Sequence, residues 1–226
     1  MTATKRKRPP AKGRAAQSSR TPLILVGVGV VVLAVLIAMM TVSGTGSSVT
    51  VEELAGSPQV QSDALPPFEG DPASDPAVGQ PAPEVTGQGI DGSANAGQDV
   101  TIGATGQPQL LVFLASWCPH CQAELPELVE WLDAGNLPDN VELTAVVTGL
   151  DSTRPNWPPN DWLEREGYTG QTIVDDADGT IAQTYGMSGT PFWVAIDGNG
   201  QVVARAAGQL PMQQVQALAD ALAQQG

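Results

Sequence analysis

Residues 110–121 read LLVFLASWCPHC, and this stretch decides the fold. Leu110 to Ala115 is an unbroken apolar run of strand length, the pattern of a strand buried on both faces. Ser116-Trp117-Cys118-Pro119-His120-Cys121 follows. Gln122 to Asp133 then carries Leu125, Leu128, Val129 and Leu132 at helical spacing. The only two cysteines of the chain therefore stand where a buried strand hands over to a helix. Pro126 lies inside that helix and is expected to kink it.

On either side of this unit the pattern continues. Val141 to Val147 predicts a second buried strand, parallel to the first if the helix makes the usual right-handed crossover. Upstream, Val85 to Asp91 and Val100 to Ile102 flank a Gly-containing turn and predict a hairpin. Downstream of the Pro-rich loop Pro155 to Pro159, short helices are expected at Asp161 to Glu166 and Thr180 to Tyr185, with a strand at Thr172 to Val174 between them. Phe192 to Ile196 and Gln201 to Ala206 are joined by Asp197-Gly198-Asn199-Gly200, a strong antiparallel hairpin signal. Met212 to Ala223 reads as a closing amphipathic helix. The order β, α, β, α, β, α, β, β, α predicts a three-layer α/β domain over residues 78–226, its central sheet mixing parallel and antiparallel strands.

The charge distribution divides the chain. Seven of the ten Lys and Arg lie within the first twenty residues, whereas all 24 Asp and Glu follow residue 42. Past residue 42 only Arg154, Arg165 and Arg205 oppose those acids, a formal charge of −21. That excess disfavours nucleic acid and anionic lipid as partners of the domain, since both would repel it. Residues 1–20 form a basic tail. Leu23 to Val42 carries no charge, and a helix of this length just crosses a hydrocarbon core of about 30 Å. Residues 21–42 are thus expected to span a membrane. A cleaved signal peptide is the competing reading, but its apolar region is shorter, about 7–15 residues, and Ser43-Gly44-Thr45-Gly46 matches a cleavage site poorly. The positive-inside rule puts the basic tail in the cytoplasm and everything after residue 42 outside, where disulfides persist. Residues 43–77, rich in Gly, Ser, Pro, Ala and acids, are expected to form a flexible tether. A partner-binding motif at Leu65-Pro66-Pro67-Phe68 is the alternative there.

Two cysteines three residues apart close so small a loop that a bridge between them stabilises little, so the pair is better explained by chemistry. A helix N-terminus offers unpaired N–H groups and partial positive charge, which favour a thiolate at Cys118. Pro119 suits the first helical position, where no N–H is needed. His120 adds a donor or a positive charge beside the Cys118 sulfur. Cys121 is expected behind it as the protected resolving sulfur. Stabilising the reduced thiolate makes the disulfide easier to reduce, which favours the role of oxidant. A zinc site would want four ligands, and the chain offers two Cys and one His. A Cys-His hydrolase would need a second His as base. A peroxidase acting through one cysteine leaves the spacing unexplained. No metal and no cofactor are expected.

With Gly79-Gln80-Pro81-Ala82-Pro83 opening the domain, the strand-WCPHC-helix unit, Glu124 and Pro126 in the helix, Gly189-Thr190-Pro191 before a strand and the Asp197 hairpin, the chain resembles the thioredoxin superfamily. It is most similar to the membrane-anchored, extracytoplasmic TlpA- and ResA-like thiol-disulfide oxidoreductases. The resemblance implies a cis bond at Pro191 facing the cysteines, with the Thr190 backbone pairing to a substrate peptide. It implies that Trp117 shields the site or packs there, and that Glu124 assists proton transfer at Cys121 or is a solvated helix residue. Many thioredoxins carry a buried carboxylate where this chain has Val112, which leaves that proton to water or Glu124. The Pro-His dipeptide is that of DsbA-type oxidases, while the surrounding domain looks like the reductive branch and has no large helical insertion.

The expected partners are cysteine-containing extracytoplasmic proteins and a membrane redox partner that recycles the active site. The expected reaction is thiol-disulfide exchange with Cys118-Cys121 as oxidant. Reduction of apocytochrome c or other extracytoplasmic thiols is the alternative. A non-catalytic acidic binding module is the third reading.

Overall fold

The computed structural model describes residues 49–225. The basic tail and the membrane span expected at 21–42 lie outside the described residues. Among the described residues no helix is long and apolar enough to cross a membrane.

A five-stranded sheet forms the centre. Its strands are β4 (Gln109–Leu114), β5 (Glu142–Val147), β6 (Gln171–Val174), β7 (Phe192–Ile196) and β8 (Val202–Ala207), ordered β6-β5-β4-β7-β8. β4, β5 and β6 run parallel, β7 is antiparallel to β4, and β8 closes the expected hairpin on β7. Phe113 faces Val146 on one side and Phe192 on the other. The helices are α1 (Val51–Leu54), α2 (Pro119–Asp133), α3 (Pro159–Arg165), α4 (Thr180–Thr184) and α5 (Met212–Ala223). β1 (Gln59–Val60), β2 (Val85–Gln88) and β3 (Asp99–Ile102) make a small antiparallel sheet, in which β2 and β3 are the predicted upstream hairpin.

The two-residue period of β4 divides the core. Leu110, Val112 and Leu114 pack with α2, α3 and α5 through Leu125, Leu128, Trp162, Val215 and Leu222. Leu111 and Phe113 pack on the opposite side with α4 and the small sheet, through Ile181, Tyr185, Val85 and Ile102. All six residues of β4 are buried, as its continuous apolar run predicts for a strand covered on both faces.

Residues 49–77 depart from the tether expected across 43–77. They form a strap on the domain: Leu65, Phe68 and Ala77 are buried in the second core cluster. Leu65-Pro66-Pro67-Phe68, considered above as a partner motif, is turned into the chain's own core. Phe68 meets Phe192 edge-on at 5.6 Å between ring centroids. Asp75 and Arg205, both fully buried, form an ion pair across 130 residues of chain. Arg205 also donates to the carbonyls of Pro66 and Tyr185 at 2.9 and 2.8 Å. A side chain at Gly186 would stand 2.4 Å from the Pro66 carbonyl oxygen, so the strap needs glycine there to approach. Averaged composition hides this segment, because a few well-placed anchors order a chain that is otherwise poor in large apolar residues.

Candidate active site

α2 begins immediately after β4 because Cys118 takes an extended conformation as its N-cap and Pro119 occupies the first turn. The helix continues through Pro126 to Asp133. Cys118 and Cys121 are both free thiols here. Cys121 is wholly buried and Cys118 is 5% exposed, which makes the first sulfur the reachable one.

The electrostatics separate the two further. Burial acts to raise the Cys118 pKa, but hydrogen bonding from the Thr190 side chain, the Cys121 backbone and thiol, and the His120 backbone outweighs it, and the thiol sits below its ordinary value. Cys121 is pushed far up, first by burial and then by the charge of Cys118. One sulfur is thus prepared to ionise and the other to hold its proton. The His120 ring is exposed, and what His120 supplies to Cys118 is its backbone N–H.

Thr190 and Pro191 arrive from the loop before β7. The Thr190–Pro191 peptide bond is cis, the isomer the resemblance implies, and the Cys118 thiol lies 3.3 Å from the Thr190 carbonyl oxygen. The motif itself is held by its surroundings. Gln122 and Asn156 both donate to the Ser116 carbonyl, at 2.8 and 3.1 Å. Asn156 adopts the left-handed conformation at φ 59°, next to a second cis bond at Trp157–Pro158. Trp117 donates from Nε1 to the Gly149 carbonyl at 2.6 Å. Gly149 has φ +63°, and a Cβ there would meet the indole edge at 3.4 Å, so glycine lets the ring lie close to the backbone. Trp117, Leu150, Ala182, Met187 and Thr190 line a groove of about 330 Å³ that opens beside the cysteines.

Glu124 is fully buried, which rules out the solvated alternative. Its Oε1 accepts from Trp193 Nε1 at 3.2 Å and from the Leu210 N–H at 2.7 Å. Oε2 is buried without a hydrogen-bond partner among the described residues. Burial lifts the carboxyl to about 7, against the two donors and with help from Glu127. The sign follows from proton counting: the folded state keeps a proton that the unfolded chain releases. This contribution to stability is fully present below pH 4.5 and is lost as the pH rises through about 7. At about 1.4 kcal/mol per pH unit it amounts to about 3 kcal/mol. Glu124→Gln should therefore lose less stability than the wild type between pH 4.5 and 8 in urea titrations, and parallel curves would contradict the assignment.

The sequence-predicted residues Trp117, Cys118, Pro119, Cys121, Thr190 and Pro191 converge on one end of the sheet. Gln122, Asn156 and Gly149 belong to the same site and were not read from the sequence. Among the described residues no cluster of His, Cys, Asp or Glu could hold a metal ion.

The chain is similar to known proteins. The chain is 33% identical over 102 residues to the thiol:disulfide interchange protein DsbE homolog of Paracoccus denitrificans, covering 45% of this chain and 51% of that protein. It is 30% identical over 135 residues to the thiol:disulfide interchange protein DsbE of Escherichia coli strain K12, covering 59% and 66%. The chain thus spans between half and two thirds of the length of these relatives. A crystal structure of a thioredoxin family thiol:disulfide interchange protein from Chlorobium tepidum covers 69% of this chain and 99% of its own, with a TM-score of 0.50 at 17% identity, and so shares the fold. The Redoxin profile matches residues 77–222, from the end of the strap through α5 with both cysteines inside, and places the chain in the Redoxin family.

Proposed function

We propose that this chain is a membrane-anchored, extracytoplasmic thiol-disulfide oxidoreductase that passes a Cys118-Cys121 disulfide to cysteine pairs of secreted or membrane proteins. The observation that carries the reading is Cys118 at the N-cap of α2, reachable, below its ordinary pKa and against Thr190. A substrate thiolate attacks the Cys118 sulfur, the Cys118-Cys121 bond breaks, and Cys121 departs as a thiolate that takes up a proton. Glu124, buried on the same helix and titrating near 7, is suited to supply it. The second substrate thiolate then attacks the substrate sulfur of the mixed disulfide, and Cys118 leaves. The substrate loses two electrons and two protons, and the pair gains them.

A low pKa makes Cys118 a good leaving group, which favours this direction. Thr190 and the cis-Pro191 offer backbone to an extended substrate, and Trp117 shields the sulfur. Recharging the pair calls for a membrane partner that itself carries a disulfide. Residues 21–42, with the cationic tail before them, support the anchor and the outward placement of the domain.

Reduction of extracytoplasmic thiols, those of apocytochrome c among them, is the second reading, and it would draw on a membrane dithiol donor. It is favoured by the compactness of the domain, whose only helix between β6 and β7 is the five-residue α4. The reduction potential separates the two directions. The oxidant reading expects a value above that of thioredoxin, about −270 mV. A value at or below it would leave reduction.

A further inference from the structure

Two of the three cations among the described residues are already engaged. Arg205 is buried on Asp75, and Arg165 lies 3.3 Å from Glu166 and donates to Asn156. Arg154 is exposed and makes no salt bridge among the described residues. Its guanidinium carbon lies 4.4 Å from the centroid of the Trp117 ring. The neighbouring Asp151 accepts at Oδ1 from the Thr153 N–H and hydroxyl, at 2.9 and 2.7 Å, and feels the charge of Arg154 without forming a salt bridge with it.

We infer that Arg154, seated on the ring of Trp117, the residue that precedes Cys118, is a specificity-determining cation that selects substrates carrying Asp or Glu next to the reacting cysteine. The inference rests on the exchange reaction proposed above and names the substrates that it prefers. Trp117 is itself pinned to the Gly149 carbonyl, so the ring is a fixed seat. Stacking on an indole face orients a guanidinium and leaves its edge N–H groups free to grip a carboxylate with two hydrogen bonds. Less freedom is then lost when the substrate arrives.

The charge balance gives this one cation its weight. A domain segment with three cations against 24 acids attracts basic peptides over much of its surface, which brings them near without a register. A single positive point on the ring of the residue that precedes Cys118 supplies orientation, and only an acidic side chain near the reacting cysteine can use it.

The test uses the full oxidised chain in detergent and three reduced two-cysteine peptides that differ at one residue flanking the first cysteine: Glu, Gln or Lys. Second-order rates of exchange are measured for the wild type, Arg154→Gln and Arg154→Glu. The readout is the Glu-to-Lys rate ratio within each variant, so a partly unfolded preparation cancels. The ratio should fall by about tenfold from wild type to Arg154→Glu at low salt, with Arg154→Gln between them. The difference should shrink at high salt. Equal ratios in all three proteins, with the wild type exchanging normally with the Gln peptide, would overturn the role of Arg154 and leave the exchange reaction standing. Failure of the wild type to exchange with the Gln peptide would remove the reaction, and this inference with it.

Discussion

Cys118→Ser should abolish exchange, lowering the rate on a reduced peptide by at least about 10³-fold, because a serine hydroxyl can neither ionise near neutral pH nor form the mixed disulfide. Cys121→Ala should behave differently. No Cys118-Cys121 bond can form, so no disulfide can be passed on. The Cys118 thiolate can still open a substrate disulfide, displacing one substrate sulfur as a thiolate and holding the other in a mixed disulfide that Cys121 is no longer there to resolve. Two readouts therefore belong together: turnover with a dithiol peptide, and covalent adducts with the disulfide form of that peptide on non-reducing gels. Loss of turnover in both variants with adducts only in Cys121→Ala is expected. Undiminished function in Cys118→Ser would favour the acidic binding module instead. Adducts captured from membranes by Cys121→Ala would also identify the partners, since each is held through its own reacting cysteine.

The second large effect lies in the ion pair that holds the strap. Arg205→Ala should destabilise the folded chain by about 3–5 kcal/mol, since it leaves Asp75 charged and buried without a partner. The carbonyls of Pro66 and Tyr185 would lose their donor at the same time. A paired change, Asp75→Asn with Arg205→Met, removes both charges and should recover much of the loss. The same ion pair sets a pH dependence. Burial alone would raise the Asp75 pKa, but the Arg205 hydrogen bonds, the Ala77 N–H and the Arg205 charge together outweigh it and hold the carboxyl below its ordinary 3.8. The folded state then binds this proton less readily than the unfolded chain does. The stabilisation is present above that value and is lost as the pH falls through the lowered one. Urea denaturation of the three proteins at neutral and acidic pH would check both claims. A change below about 1 kcal/mol in Arg205→Ala would show that the strap contributes little.

The strand-turn-helix unit was legible because three signals coincide there: an apolar run, a helical period and Pro119 at the first turn. β7 and α5 occupy the segments that the periodicity predicts, Phe192–Ile196 and Met212–Ala223. The place of Glu124 could have been read too. Cys121, Glu124, Leu125 and Leu128 stand at i, i+3, i+4 and i+7, the buried stripe of α2, while Val129 and Leu132 are only half-buried. A carboxylate on such a stripe is either paired or protonated, and here Trp193 and Leu210 hold it.

The strap was not legible, because Leu65, Phe68 and Asp75 are ordered by residues more than a hundred positions away. Nor was the set of contacts that positions Trp117, which depends on where Gly149 and Arg154 fall after β5. Local pattern reports a segment's own preferences, and these partners become neighbours only when the sheet assembles.

The central claim is that Cys118 ionises more readily than an ordinary thiol while Cys121 holds its proton. Alkylation of the reduced chain across a pH series, with each adduct mapped to its cysteine by mass spectrometry, measures this directly. Modification of Cys118 should follow a titration midpoint below the ordinary thiol value of about 8.5, with Cys121 unmodified throughout. A midpoint at or above that value for Cys118, or equal reactivity of the two sulfurs, would contradict the account.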